Sequence, residues 1–221
     1  MRSNFDKQLD TLNTQLTDMS NLVEKAIECT THGLVFADRQ KAEMAVEYDA
    51  EVDVMEKDIE KLCVKLLLLQ QPVAKDLRQI SAALKMITDL ERIGDQARDI
   101  SELVLRSEHT VTINPDGVIS QMATATMTMV HDAVESFVNK DKAAAERVIA
   151  FDDVIDNLYS KAKAELTDRI KQEKEDVNFL VDLLSISKYF ERIGDHTANI
   201  AEWVVFSITG VHKKENMMYT E

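Results

Sequence analysis

The sequence predicts an all-α protein built of two tandem, similar three-helix bundles, and three observations support this fold class. Gly and Pro are scarce, at 5 and 2 of 221 residues, so few turns are available. Apolar residues recur at three- and four-residue spacing through long segments. The pentapeptide Glu-Arg-Ile-Gly-Asp occurs twice, at 91–95 and 191–195. Six long antiparallel helices, three in each half, account for all three observations.

The first half contains three long amphipathic segments. The apolar period predicts a first helix over Asn4–Phe36 and a second over Arg39–Gln70. The third is predicted over Pro72–Ser107, because proline is tolerated in the first turn of a helix, where its missing N–H costs nothing. Leu77 begins the apolar stripe of this third helix.

The second half repeats this plan after residues 114–117, Asn-Pro-Asp-Gly, which form a cluster of turn residues near the middle of the chain. Asp141 and Asp176 are predicted to cap two of its helices. The first repeat is therefore assigned to residues 1–110 and the second to 111–221. The helices of the second repeat are predicted near 116–138, 140–173 and 176–209.

The composition restricts the class of partner and the compartment. A formal net charge of −14 disfavours nucleic acid and anionic lipid, and suits a basic protein partner or bound cations. The chain lacks a signal peptide and any run of the roughly 20 apolar residues of a membrane span, so a cytoplasmic protein is expected. Cys29 and Cys63 lie in separate helices, which indicates free thiols in a reducing compartment.

Each copy of Glu-Arg-Ile-Gly-Asp begins a row of oxygen-bearing side chains. Glu91, Asp95 and Asp99 are four residues apart, and each step of four on a helix advances about 40° beyond a full turn. The three carboxylates therefore lie within an arc of about 80° and form a row about 12 Å long. The row runs beside Ile87, at the edge of the apolar face.

A pair of aspartates on the preceding helix accompanies each row. Asp49 and Asp53 flank the apolar stripe of the second helix, and on a neighbouring helix they would bring five carboxylates together. The pattern recurs in the second half at Asp152, Asp156, Glu191, Asp195 and Asn199. Its recurrence in both halves points to a shared structural or binding role.

Repulsion between these acids must be offset. Like charges at this spacing repel, and a partly dry edge adds a desolvation cost. Spacing alone leaves two interpretations open: a solvated acidic face with salt bridges, or a metal site. Oxygen ligands favour magnesium, calcium, manganese or iron. His196, beside Asp195, could add a nitrogen for zinc or iron, although a single histidine is more often structural.

Two further residues of each motif have a predicted role. Gly94 and Gly194 interrupt good helices at about 1 kcal/mol each relative to Ala, so a neighbouring backbone or ligand is expected to approach closely. Arg92 and Arg192 are expected to neutralise the adjacent acids through ion pairs rather than to act in catalysis.

The doubled motif Glu-Arg-Ile-Gly-Asp-x-x-x-Asp/Asn, at 91–99 and 191–199, resembles the PhoU family of phosphate-uptake regulators. The segment Gln-Pro-Val-Ala-Lys-Asp-Leu-Arg at 71–78 is also similar to the family's entry into its third helix. The resemblance implies a cytoplasmic negative regulator that couples a phosphate ABC transporter ATPase to a sensor histidine kinase. Contact with the membrane would then be made only through these partners, and a homodimer is expected.

The resemblance also implies metal sites, because some members bind metal clusters through such carboxylates. By position, Glu91, Asp95 and Asp99 would meet Asp49 and Asp53, and the corresponding residues would meet in the second half. The implied ion is iron, zinc, manganese, magnesium or calcium. Asn199 offers a neutral oxygen where the first half has Asp99, so the implied second site is one charge weaker.

Three alternatives to this regulator remain open. One is an accessory protein of another phosphate carrier, and one is a structural helical protein whose acids are solvated. The third is a carboxylate-bridged metalloenzyme, which is disfavoured because none of the five histidines follows a glutamate at the Glu-x-x-His spacing. The sequence contains no Gly-rich phosphate loop and no plausible nucleophile–base pair, so we expect a protein that is not an enzyme.

Overall fold

The computed structural model describes residues 2–69, 73–106 and 113–211, and within these ranges it contains helices and no strand. The helices are α1 (Arg2–Phe36), α2 (Arg39–Leu69), α3 (Ala74–Arg106), α4 (Val118–Val138), α5 (Lys142–Lys171) and α6 (Val177–Thr209). The predicted all-α class is confirmed, and the helix ends agree with the predicted ends within about two residues. The predicted helix ends Gln70, Pro72 and Ser107 lie outside the described residues.

Local capping explains where several helices begin and end. The carboxylate of Asp141 accepts a hydrogen bond from the backbone N–H of Ala144 at 3.0 Å, and Asp176 caps α6 in the same way. Both predicted caps are thus confirmed. Helix α6 ends at Thr209 and is followed by Gly210, whose φ of 78° lies in the left-handed region that favours glycine.

The helices form two three-helix bundles that pack against each other. Helices α1, α2 and α3 form the first bundle, and α4, α5 and α6 form the second. The bundles meet where α3 packs on α6 and α1 packs on α4, so α2 and α5 lie on the outside. One continuous apolar core, with members such as Leu16, Leu90 and Phe190, runs through both bundles.

Two details of the packing qualify the sequence-based expectations. Leu77 was assigned to the apolar stripe of α3, but its side chain is 46% exposed because it lies in the first turn of the helix, beyond the core. Cys29 and Cys63 are both buried free thiols, as expected. None of the helices in the described ranges combines the length and the apolar character that a membrane span requires.

Candidate functional site

The predicted site residues lie on facing helices in each half. From here on, each row includes the two aspartates of the preceding helix. The first row then consists of Asp49 and Asp53 of α2 with Glu91, Asp95 and Asp99 of α3. The second row is Asp152 and Asp156 of α5 with Glu191, Asp195 and Asn199 of α6. Both rows lie between an outer helix and one of the two central helices.

The two motif glycines show that the rows are structurally equivalent. A Cβ on Gly94 would lie 3.0 Å from Asp49 Oδ1, and a Cβ on Gly194 would lie 3.1 Å from Asp152 Oδ1. Each glycine therefore admits an aspartate carboxylate to the surface of the neighbouring helix. The close approach predicted at these glycines is confirmed, but the approaching group is an aspartate side chain and not the backbone or ligand that was expected.

In the first row, the guanidinium of Arg98 bridges the two helices. Its Nη1 donates to Asp49 Oδ2 at 2.9 Å, and its Nη2 lies 2.7 Å from Asp95 Oδ1 and 3.5 Å from Asp99 Oδ1. One fork-shaped cation thus contacts carboxylates of both α2 and α3. The repulsion between these acids was expected to be offset by a bound cation or a basic side chain, and in the first row Arg98 offsets it.

Arg92 forms the outer ion pairs of the first row. Its Nη1 lies 2.9 Å from Asp95 Oδ2 and its Nε lies 3.4 Å from Glu91 Oε2. These contacts confirm the neutralising role predicted for Arg92. The Arg92 side chain is more exposed than that of Arg98, at 55% against 32%, so its pairs are more strongly screened by water.

Burial dominates the electrostatics of the first row. It raises the pKa of the Asp49 carboxyl, whose side chain is almost fully buried, and the Arg98 guanidinium acts in the opposite direction. Burial also raises the pKa of Glu91, with further contributions from the charges of Asp95 and Asp53. Asp53 therefore lies close enough to Glu91 to belong to the same cluster.

The second row has Ala198 at the position equivalent to Arg98. Burial, which has the largest effect, and the charges of Asp195, Asp156, Asp153 and Glu191 together raise the pKa of Asp152 to about 6. Its Oδ1 atom is buried and accepts no hydrogen bond from the described residues. The acids of this row therefore meet with little compensation at Asp152.

The cation of the second row lies at one end of it. Lys188 Nζ pairs with Glu191, and it also lies 5.2 Å from the centre of the Tyr159 ring. Asp156 and Asp195 are exposed and Asn199 is half-buried, so this row is open to solvent. No ion pair among the described residues involves Arg192, and its predicted neutralising role is not seen in the structure.

His196 contacts the other bundle, which is a structural role and not that of a metal ligand. Its Nδ1 lies 2.8 Å from Oδ1 of Asp89 on α3, so it joins the two bundles across their central contact. A second histidine does the same at the other contact, where His131 Nδ1 lies 3.3 Å from Oε1 of Glu24. The structural interpretation of His196 is the one that the geometry favours.

The donors of the two rows differ in their suitability for a cation. Within the described ranges, no group of three or more His, Cys, Asp or Glu side chains is arranged to hold a metal ion. In the first row, Arg98 already lies between the carboxylates. In the second row, no ion pair among the described residues involves Asp152. A buried Oδ1 atom without a hydrogen-bond partner occurs in both rows, on Asp49 and on Asp152.

Sequence reasoning missed three residues of the site. Arg98, Glu56 and Lys188 were not singled out, although Glu56 is close enough to raise the pKa of Glu91. For Arg98 the signal was present in the repeat itself, because aligning the motifs places Arg98 opposite Ala198. Positions at which two copies of a site differ in charge are the ones to inspect.

A duplicated helical bundle with a carboxylate row at the same place in each half defines a two-repeat protein rather than a single-site bundle. The chain belongs to the PhoU domain family, whose model matches residues 16–104 and 119–204. The two matched segments fall in the two bundles described above.

Relatives match over almost the whole chain. The phosphate-specific transport system accessory protein PhoU homolog of Clostridium acetobutylicum is 35% identical over 210 residues, which cover 95% of this chain and 96% of that protein. The homolog of Zymomonas mobilis is 32% identical over 96% of this chain and 89% of its own. The crystal structure of PhoU from Pseudomonas aeruginosa superposes with a TM-score of 0.86 at 30% identity, and covers 94% of this chain and 100% of that one.

Proposed function

We propose that this protein is a negative regulator of phosphate uptake and of the phosphate-starvation response. It acts in the cytoplasm as an adaptor between a phosphate ABC transporter ATPase and a sensor histidine kinase. The observation that supports this proposal most directly is the similarity of both bundles to the PhoU domain, with relatives named as accessory proteins of phosphate-specific transport. Its regulatory effect comes from binding and involves no chemical reaction.

The surface charge restricts the partners of this adaptor. With a formal net charge of −14, the protein is attracted to basic protein surfaces and repelled by nucleic acid. Attachment to the membrane is then made through the transporter and the kinase. The protein is expected to form a homodimer in this role.

The second row supplies the metal-binding part of the proposal. Asp152, Asp156, Glu191, Asp195 and Asn199 are the residues that would hold a divalent or ferric ion, with iron, zinc, manganese, magnesium and calcium as candidates. A hard cation would supply the positive charge that Asp152 lacks among its neighbours. Metal analysis of the purified protein tests this part, with Asp152→Asn and exposed Asp58→Asn as the affected and control variants.

A gene deletion tests the regulatory part. Removing the gene from its host should switch on phosphate-starvation genes in phosphate-rich medium, and a copy supplied in trans should switch them off again. A reporter that stays silent in the deletion strain under these conditions would remove the proposal. Asp58→Asn is a suitable control copy, because Asp58 lies on the exposed face of α2 and pairs only with Lys61 among the described residues.

Affinity capture identifies the partner and separates the proposal from its alternative. The tagged chain should retain the phosphate transporter ATPase and the kinase from solubilised membranes of the host. Retention of a different phosphate carrier without either protein would instead favour an accessory protein of that carrier.

A further inference from the structure

The two rows differ at one residue, which in the first half contacts three acids of the row. Arg98 of α3 contacts Asp49, Asp95 and Asp99, whereas the equivalent residue of α6 is Ala198. The equivalence is geometric as well as sequential, because the glycine four residues earlier receives an aspartate Oδ1 at nearly the same distance in both halves. Among the described residues, only the first half therefore has a cationic side chain that pairs with carboxylates of both of its helices.

The position of Arg98 is the one that a cation shared by the two helices would take. Its nitrogens lie 2.9 Å from an oxygen on α2 and 2.7 Å from one on α3, so it connects both sides of the row. Arg92 does not do this, because its ion pairs among the described residues are with Glu91 and Asp95 of its own helix. A guanidinium is permanently charged and presents a fork of N–H donors. It therefore stabilises carboxylates and, unlike a bound ion, cannot dissociate from the protein.

We propose that Arg98 is a built-in counter-cation which closes the first row to metal ions. This inference deepens the metal-binding part of the proposed function and rests on it for the choice of ion. It reverses the order that Asn199 suggested, in which the second site would be the weaker one.

The burial of the two rows supports this assignment. Asp49 is 4% exposed and has one oxygen on Arg98, so a metal ion entering the first row would have to displace a buried ion pair. The second row presents the exposed Asp156 and Asp195 to solvent. Its lysine pairs with Glu191 at the end of the row, away from the position equivalent to Arg98.

Arg98→Ala tests the proposal with Mn²⁺ as the probe. Purified protein is stripped of metal with a chelator, dialysed against Mn²⁺, and analysed for bound manganese and for its melting temperature. We expect Arg98→Ala to bind one more Mn²⁺ per chain than the wild type. In chelator, the melting temperature of the variant should be at least about 5 °C below that of the wild type. Adding Mn²⁺ should raise the melting temperature of the variant by more than it raises that of the wild type.

Arg92→Ala is the matched control. It removes the same charge from the same row but leaves the bridge between α2 and α3 in place, so it should gain no Mn²⁺ site. Asp49→Asn in the Arg98→Ala background should remove the additional ion, which places that ion between the two helices. Equal gains in Arg92→Ala and Arg98→Ala would overturn the proposal.

The outcomes separate this inference from the proposed metal function. If the wild type binds Mn²⁺ and Arg98→Ala binds no more, the inference fails and the metal function stands. If the wild type binds no Mn²⁺ and Arg98→Ala binds one ion, the inference stands and the proposed metal function fails. If neither protein binds Mn²⁺, the inference and the metal function both fail. An Arg98→Ala chain that folds only with Mn²⁺ supports the inference, and one that folds in neither condition contradicts it.

Discussion

The Oδ1 atom of Asp152 lies 3.1 Å from the position that a Cβ on Gly194 would occupy. That position is also 3.1 Å from Ile155 Cγ2 and 3.3 Å from its Cβ, and Ile155 is fully buried. At Gly94 the corresponding contacts are Asp49 Oδ1 at 3.0 Å and Val52 Cγ1 at 3.4 Å, the second of which is ordinary contact. The two glycines therefore differ in how firmly their surroundings resist a methyl group.

Alanine at the two glycines should have unequal effects on stability. Gly194→Ala gains about 1 kcal/mol of helix propensity, but overpacking against Ile155 costs more, so we expect a net loss of about 1 kcal/mol. Gly94→Ala should stay within about 0.5 kcal/mol of the wild type, because only the Asp49 side chain must shift. Urea unfolding in chelator measures both, and a Gly194→Ala chain as stable as Gly94→Ala would contradict this expectation.

Asp152 should make stability depend on pH in a defined window. Its pKa is about 6 in the folded protein against an ordinary value of 3.8, so between these values the folded state binds more protons than the unfolded state. The free energy of unfolding therefore falls as the pH rises from about 4 to 6, and the penalty is complete above pH 6. After allowance for solvent screening, we expect a penalty of about 1 kcal/mol.

Asp152→Asn isolates this effect. In chelator at pH 7.5 the variant should be more stable than the wild type by about 1 kcal/mol, and the difference should vanish near pH 4. Asp58→Asn, on an exposed face of the other half, should leave the shape of the stability curve unchanged. A difference between Asp152→Asn and the wild type that is constant with pH would show that Asp152 has no raised pKa.

Ala198→Arg should convert the second row to the arrangement of the first. A guanidinium at this position can pair with Asp152 and Asp195, as Arg98 does with their counterparts, and should stabilise the metal-free protein by about 1 kcal/mol at pH 7. Ala198→Gln provides a shorter polar side chain that can donate hydrogen bonds but carries no charge. Thermal melts in chelator compare the two variants. Equal melting temperatures would show that a missing positive charge does not destabilise the second row.

The histidine contacts between the bundles should differ in strength. The His196–Asp89 pair is largely buried, at 28% and 16% exposure, and a double-mutant cycle with alanine at both positions should give a coupling of about 1 kcal/mol. The His131–Glu24 pair is longer and its histidine is 54% exposed, so its coupling should be below about 0.5 kcal/mol. A larger coupling at His131 would reverse this ranking.

The sequence predicted the helices well because burial repeats with the helical period. Residues such as Leu16 and Leu90 lie on these stripes and are fully buried. The row of Glu91, Asp95 and Asp99 follows from spacing alone, and its pairing with Asp49 followed from the family resemblance. Leu77 failed because periodicity does not show where a helix extends past the core.

The contacts that complete the site depend on side-chain direction and on packing between the halves. Arg98 is adjacent to acids on its own helix, but nothing in its spacing shows that it turns toward Asp49 of α2. The partner of His196 lies 107 positions away and is set by the packing of α3 on α6. Contacts between residues so far apart in the chain produce no periodic pattern in a single sequence.

The joining of both bundles in one chain has a consequence for how the site can change. In a homodimer of one such bundle, a single codon would specify the residue at both equivalent positions, and every substitution would alter both rows at once. Here Arg98 and Ala198 are encoded separately. A substitution at one of these positions can therefore alter the ion pairs of one row and leave the other row unchanged.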